Sequence, residues 1–240
     1  MILAREFAFP RWIGSVSGRR SFAFLFAVII PILSAGRAPV PDSDYDYDPP
    51  APGSYSLPII KRASDGPLLD STDKPIKLRD LTRGRITVLS FIYTHCTAPK
   101  ACPYATNVLG QLHSLSAKDQ YLAKNLRLVS LSFDPEHDTP QHLAEYSEWV
   151  RETKSGCEWQ FVTAKSHTEL DPILEAYDQA VDRKSDPNDP QGPLYHTLRI
   201  FLIDRSGNIR NIYSSNTLDL RLVLADVKTL LIEEGKTSTP

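Results

Sequence analysis

Seven residues, Ile86-Thr87-Val88-Leu89-Ser90-Phe91-Ile92, form a β-branched, apolar and almost unbroken run. A short run of that kind reads as a strand buried on both faces, which belongs at the centre of a sheet. The pattern then changes sharply, at Tyr93-Thr94-His95-Cys96-Thr97-Ala98-Pro99-Lys100-Ala101-Cys102-Pro103. From Pro103 to His113 the apolar residues fall at helical spacing. Proline is a normal start signal there, because its missing N–H would have no partner in the first turn. The chain therefore leaves a central strand, crosses a loop holding two cysteines and enters a helix.

That junction has chemical consequences. A helix N-terminus carries partial positive charge and unpaired N–H groups, so a thiolate is favoured and a cysteine pKa falls. Thiolate is the form that attacks disulfides and binds metals. Five residues separate Cys96 from Cys102. On a continuous helix the two would stand about 240° apart, at roughly 100° per residue. They cannot share a helical face. Cys96 is assigned to the loop and Cys102 to the helix start, with Ala98-Pro99 breaking helical geometry between them. The loop must fold back for the sulfurs to meet. A structural disulfide, or two thiols without a role, is the bland alternative.

Size and charge narrow the field. The 240 residues suit one domain behind a leader, and the net charge is −2 with no dense basic stripe. That argues against a nucleic-acid partner. At the N-terminus Arg11, Arg19 and Arg20 precede an apolar stretch from Ser21 to Gly36 that ends in small residues. Residues 1–36 read first as an export signal and second as an uncleaved membrane anchor. The uncharged run is shorter than the ~20 residues of a comfortable membrane span. Export leads to an oxidising compartment, the bacterial periplasm with inner-membrane anchoring, or alternatively the mitochondrial intermembrane space. Thiols there become disulfides unless they are reduced on purpose or hold a metal. Residues 37–54, rich in Pro, Asp and Tyr, read as an extended tether. The folded domain is assigned to residues 55–235 and a short tail to 236–240.

Within the domain, Asp65-Gly66 is a hairpin-turn signal and Ile76-Lys77-Leu78 a short strand. The helix after the cysteine loop is expected to run to about Lys124. Leu126 to Phe133 is the second strong strand, with Thr139 as N-cap and Pro140 as first residue of the next helix. That helix is expected to continue through Val150. Trp159 to Thr163 is a third strand and Leu170 to Tyr177 another helix. Val181 to Pro193 is a polar loop closed by Tyr195-His196, and Thr197 to Asp204 is a strand headed by that histidine. A turn at Arg205-Ser206-Gly207-Asn208, a returning strand and a helix from Leu218 to Glu233 complete the order. This is an α/β, thioredoxin-like plan: a central mixed sheet flanked by helices, with an N-terminal hairpin and an inserted strand and helix.

Tyr93-Thr94-His95-Cys96, Cys102-Pro103, the run from Val129 to Pro140 containing Asp134-Pro135-Glu136-His137-Asp138-Thr139-Pro140, and Tyr195-His196 together resemble the Sco/SenC family. The resemblance covers about Tyr55 to Glu233. It implies a thioredoxin-fold copper-binding assembly factor, anchored or exported, that helps metallate the dinuclear copper centre of cytochrome c oxidase. Carried over by position, the copper thiolates fall on Cys96 and Cys102, the copper histidine on His196 and the acidic motif on Asp134 and Asp138. The oxidised form would join Cys96 to Cys102. The partner would be the copper subunit of cytochrome c oxidase, or another copper or thiol redox protein. The family usually has three residues between its cysteines, where this chain has five.

The donor chemistry agrees with that implication. Two soft thiolates select Cu(I), imidazole accepts Cu(I) or Cu(II), and zinc takes the same donors. Such a protein is not an enzyme in the turnover sense. The alternative is an exported thiol-disulfide oxidoreductase in which Cys96 attacks, Cys102 resolves and His196 tunes the thiolate. A peroxidase-like role and a passive copper or redox sensor use the same residues. Asp134 and Asp138 would steer a partner or support the ligands, or else only build the turn and cap. His95 would raise thiolate content or bind metal, or be a plain loop residue. His113, His137, His142 and His167 sit in polar or helical surface contexts, and Cys157 reads as a buried, idle thiol.

Overall fold

The run Ile86–Ile92 is buried at all seven positions and forms the strand on which the sheet is built. The computed structural model describes residues 45–153 and 155–237. The leader, the first part of the tether and the end of the tail lie outside them. In chain order the elements are β1 (Lys61–Arg62), β2 (Pro67–Asp70), β3 (Pro75–Lys77), α1 (Leu78–Leu81), β4 (Ile86–Ile92), α2 (Cys102–Ser116), α3 (Gln120–Asn125), β5 (Leu126–Ser132), α4 (Pro140–Tyr146), α5 (Glu148–Glu152), β6 (Glu158–Thr163), α6 (His167–Ala176), β7 (Val181–Arg183), β8 (Leu194–His196), β9 (Ile200–Ile203), β10 (Asn208–Tyr213) and α7 (Leu220–Thr237).

Among the described residues one mixed sheet has the order β1-β10-β9-β4-β5-β6-β2-β3, and β7-β8 form a separate ribbon. β4, β5 and β6 run parallel, as apolar strands joined by helical crossovers must. β9 returns antiparallel on the other side of β4. The register sets Ile92 beside Ser132, so β4 and β5 end level. Their following loops, from Tyr93 and from Phe133, therefore emerge side by side. Ligands of open α/β sheets gather at the carboxyl ends of the strands, where the strand order changes direction.

Several local expectations are corrected. Asp65-Gly66 makes no hairpin, because β1 pairs with β10 and β2 with β3 and β6. Gly66 is needed for close approach instead: a Cβ there would lie 2.4 Å from Cδ1 of Ile173. The hairpin turn falls between Asp70 and Pro75, where the Asp70 carboxylate accepts from the N–H groups of Thr72 and Lys74. The helix after the cysteine loop stops at Ser116 and restarts at Gln120, since Asp119 caps the new turn by accepting from Leu122 N–H. Likewise α4 ends at Tyr146 and α5 begins at Glu148. Thr139 does cap α4, accepting from the N–H of His142.

The described end of the tether lies against α7. Gly53 N–H donates to Thr229 Oγ1 at 3.0 Å, and Arg221 donates to the carbonyls of Tyr45 and Tyr47. Among the described residues no helix is long and apolar enough to cross a membrane.

Candidate metal and thiol site

Cys96 sits in the loop after β4 and Cys102 is the first residue of α2. The five residues between them fold back on themselves: Cys96 N–H donates to the Tyr93 carbonyl and Ala101 N–H to that of Ala98. All three cysteines are free thiols. Both loop cysteines are buried, at 5% and 2% exposure.

His196 arrives differently from expectation. It does not head the strand that pairs with β4. It ends β8, opposite Val181 of β7, in the separate ribbon. The polar stretch from Val181 to Pro193 is thus partly a strand and partly a braced loop. Lys184 N–H donates to the Pro193 carbonyl, and its ammonium pairs with Asp189 at 3.0 Å. The cysteine loop holds this ribbon in place. Tyr93 Oη donates to the Gln191 carbonyl at 3.2 Å, and Thr97 Oγ1 donates to the Pro190 carbonyl. Gly192 permits the close fit: its φ is +93°, and a Cβ would meet Tyr93 Oη at 2.2 Å and the His95 carbonyl at 2.8 Å. Gly192→Ala is therefore expected to lower unfolding free energy by more than about 1 kcal/mol, because the backbone is strained and the latch is pushed open. Urea unfolding checks it, with a lower midpoint at unchanged slope.

The latch carries the imidazole to the thiols. Nε2 of His196 lies 3.3 Å from Cys102 Sγ. The ring stands edge-on to Tyr93 at 5.4 Å between centroids and 5.1 Å from Phe133, the first residues after β4 and β5. Ligand atoms of Cys96, Cys102 and His196 all lie within 4.8 Å of one another. Nδ1 of His196 is buried with no hydrogen-bond partner. A buried orphaned nitrogen in a protein is unusual and needs a reason.

The two thiols are not equivalent. The Cys102 S–H beside it, and then His196 and the N–H groups of Cys102 and Ala98, hold the Cys96 thiol well below the usual thiol range. Facing that thiolate, and buried, Cys102 is pushed well up. The thiol at the helix start is thus the one that keeps its proton. Contact with the neighbouring sulfur outweighs the helix terminus there. Iodoacetamide should modify Cys96 at a rate that still holds near its plateau on acidification below neutrality, where a free thiol with pKa ≈ 8.5 loses tenfold per unit. Cys102→Ala removes the first cause and should move the inflection upward.

The acidic motif divides into two jobs. Asp138 is fully buried. Its carboxylate accepts from Thr94 N–H at 3.0 Å, from Thr94 Oγ1 at 2.5 Å and from Ser132 Oγ at 2.5 Å. It ties the loop after β4 to the end of β5. Asp134, also buried, lies 3.1 Å from Nδ1 of His137 and raises that imidazole's pKa by hydrogen bond and charge.

Of the histidines expected in surface contexts, His113 departs from the expectation by burial, while His137 is exposed and His137 and His142 have neighbours that the sequence did not suggest. His113 is buried, with its ring 5.9 Å from that of Trp159. His137 and His142 gather round His95, at ring distances of 5.3 and 6.0 Å. Cys157 is buried, and burial pushes its thiol up to about 11, so it is chemically quiet.

A model of the SCO1/SenC family matches residues 64–232. A SCO1 protein homolog of Bacillus subtilis is 24% identical over 159 residues, which cover 65% of this chain and 76% of that protein. Among solved structures, Arabidopsis thaliana ScoI with copper bound superposes with a TM-score of 0.59 at 20% identity, over 71% of this chain and 98% of the other. BsSco, described as a member of the Sco family of cytochrome c oxidase assembly proteins in which a disulfide switch was identified, superposes with a TM-score of 0.53 at 20% identity, over 73% and 98%.

Proposed function

The chain belongs to the SCO1/SenC family, and we propose that it binds one copper ion through Cys96, Cys102 and His196 and delivers it to the copper centre of cytochrome c oxidase. One observation carries this reading: two sulfurs and an imidazole nitrogen lie within 4.8 Å of one another at the carboxyl end of the central strands. The donor set fits the ion, since thiolates suit Cu(I) and imidazole serves either oxidation state. Nε2 of His196, 3.3 Å from Cys102 Sγ, is the ring nitrogen that faces the thiols. Three protein donors leave a position open through which a cargo ion can leave. The five-residue spacing does not keep the sulfurs apart, because the loop folds back.

The leader, residues 1–36, is proposed to export or anchor the chain, with residues 37–54 leading to the domain at 55–235. Copper-bound ScoI and the oxidase-assembly description of BsSco support the cargo and the destination. The test is stoichiometric. The reduced protein takes up one Cu(I) per chain, and oxidation to the Cys96–Cys102 disulfide abolishes uptake. Binding that survives oxidation overturns the reading.

The unequal thiols favour a second reading, thiol-disulfide exchange. The Cys96 thiolate would attack one sulfur of a substrate disulfide and release the other as a thiolate. Cys102 would then give up its proton and attack Cys96, forming the internal disulfide and freeing the second substrate thiol. Reduction of a model disulfide by the copper-free protein separates the two.

A further inference from the structure

Beside the thiol site lies a second donor cluster built from different residues. One ring nitrogen each of His95 and His137 and one carboxylate oxygen of Asp134 lie within 4.8 Å of one another. Asp134 is the fixed point. It is buried, its N–H donates to Ser132 Oγ, and its carbonyl accepts from the N–H groups of His137 and Asp138. His137 Nδ1 is already 3.1 Å from the carboxylate. Donors bound at about 2.0–2.2 Å around a tetrahedral ion stand roughly 3.3–3.6 Å apart. The third donor, His95, is exposed, as is His137, so both rings can turn to close the remaining gap.

The two exposed imidazoles come from different loops and are held together by a buried device. Asp138 binds Thr94 and Ser132 at once, which sets the residue before His95 against the strand that leads to Asp134. His142 borders the group, its Nε2 2.9 Å from Thr94 Oγ1. Two imidazoles and a carboxylate are borderline and hard donors. They suit divalent transition ions, Cu(II) above Zn(II), and lack the thiolate that selects Cu(I).

We propose that His95, His137 and Asp134 form a second, solvent-facing site for a divalent transition-metal ion, with Cu(II) the strongest binder. The site does not depend on the copper role of Cys96, Cys102 and His196. It stands one residue along the chain from Cys96, so an ion held there waits beside the thiol pair.

The test uses the full-length chain in detergent with Cys96→Ser and Cys102→Ser, titrated with Cu(II) against a competing chelator and followed by electron paramagnetic resonance. The expected result is one Cu(II) per chain with nitrogen hyperfine splitting. Adding His137→Ala or His95→Ala should weaken it by more than the roughly 10- to 100-fold that loss of a merely supporting residue costs. In the chain with both thiols intact, His137→Ala should leave Cu(I) uptake at one per chain. The wild-type chain with its thiols alkylated gives a second preparation, should the serine variant fold poorly. No Cu(II) uptake by either preparation overturns the site, as does parental affinity in both histidine variants. Failure of Cu(I) uptake with Cu(II) uptake preserved would count against the thiol site alone.

Discussion

Replacing His196 by alanine should lower the affinity of the reduced protein for copper by on the order of 100-fold while leaving the fold in place. The magnitude follows from comparable sites. A four-ligand structural zinc site contributes about 10–16 kcal/mol, or roughly 3 kcal/mol per ligand, and each 1.4 kcal/mol is tenfold. The fold should survive because His196 ends a short ribbon outside the main sheet. That ribbon is held by the carbonyls of Gln191 and Leu194, which accept from Tyr93 whatever side chain stands at 196. The variant should also show a higher pKa at Cys96, because one of the groups that lower it is gone. Competition with a chelator of known Cu(I) affinity measures the first effect, and the pH profile of alkylation the second. Copper affinity within a few-fold of wild type would remove His196 from the ligand set.

The parts of the fold legible in the sequence are those with a strong period. β4 is an apolar run interrupted only by threonine and serine, β5 adds one arginine, Arg127, near its start, and both lie where the pattern puts them. The cysteine loop was legible for the same reason, since it must join such a strand to a proline-started helix. The β7–β8 ribbon was not. Val181-Asp182-Arg183 is short and largely exposed, and its pairing depends on the closure of a ten-residue loop by Lys184 and Asp189. That closure is tertiary, and no local propensity announces it. The breaks at Ala117 to Asp119 and at Ser147 leave no mark in the pattern, because the residues around them keep helical spacing. The deciding events were a cap at Asp119 and the side chain of Ser147, which donates to the Leu143 carbonyl. The grouping of His95 with His137 and His142 was hidden for a further reason. It depends on β4 and β5 ending level, which register sets and composition does not.

The acidic motif gives the second large effect. Asp138→Ala should destabilise the protein by about 2–5 kcal/mol, because Thr94 N–H and the Ser132 hydroxyl lose their acceptor, at about 1–3 kcal/mol for each group left unpaired. Thr94 Oγ1 is better placed, since His142 is already within 2.9 Å. Asp138→Asn retains one acceptor oxygen and should cost less than half as much. With no exposed surface, Asp138 does not meet a partner protein by direct contact. Its hydrogen bonds give it a mechanical route to the site. Thr94 lies two residues before Cys96, and releasing it frees the turn that fixes the thiolate. Urea unfolding gives the stability change, and Cys96 alkylation gives the local one. In Asp138→Ala that reaction should quicken at neutral pH as the loop opens, although the thiolate is already formed there. A variant with wild-type stability and an unchanged alkylation rate would show that the tie between Thr94 and Ser132 is not what holds the cysteine loop.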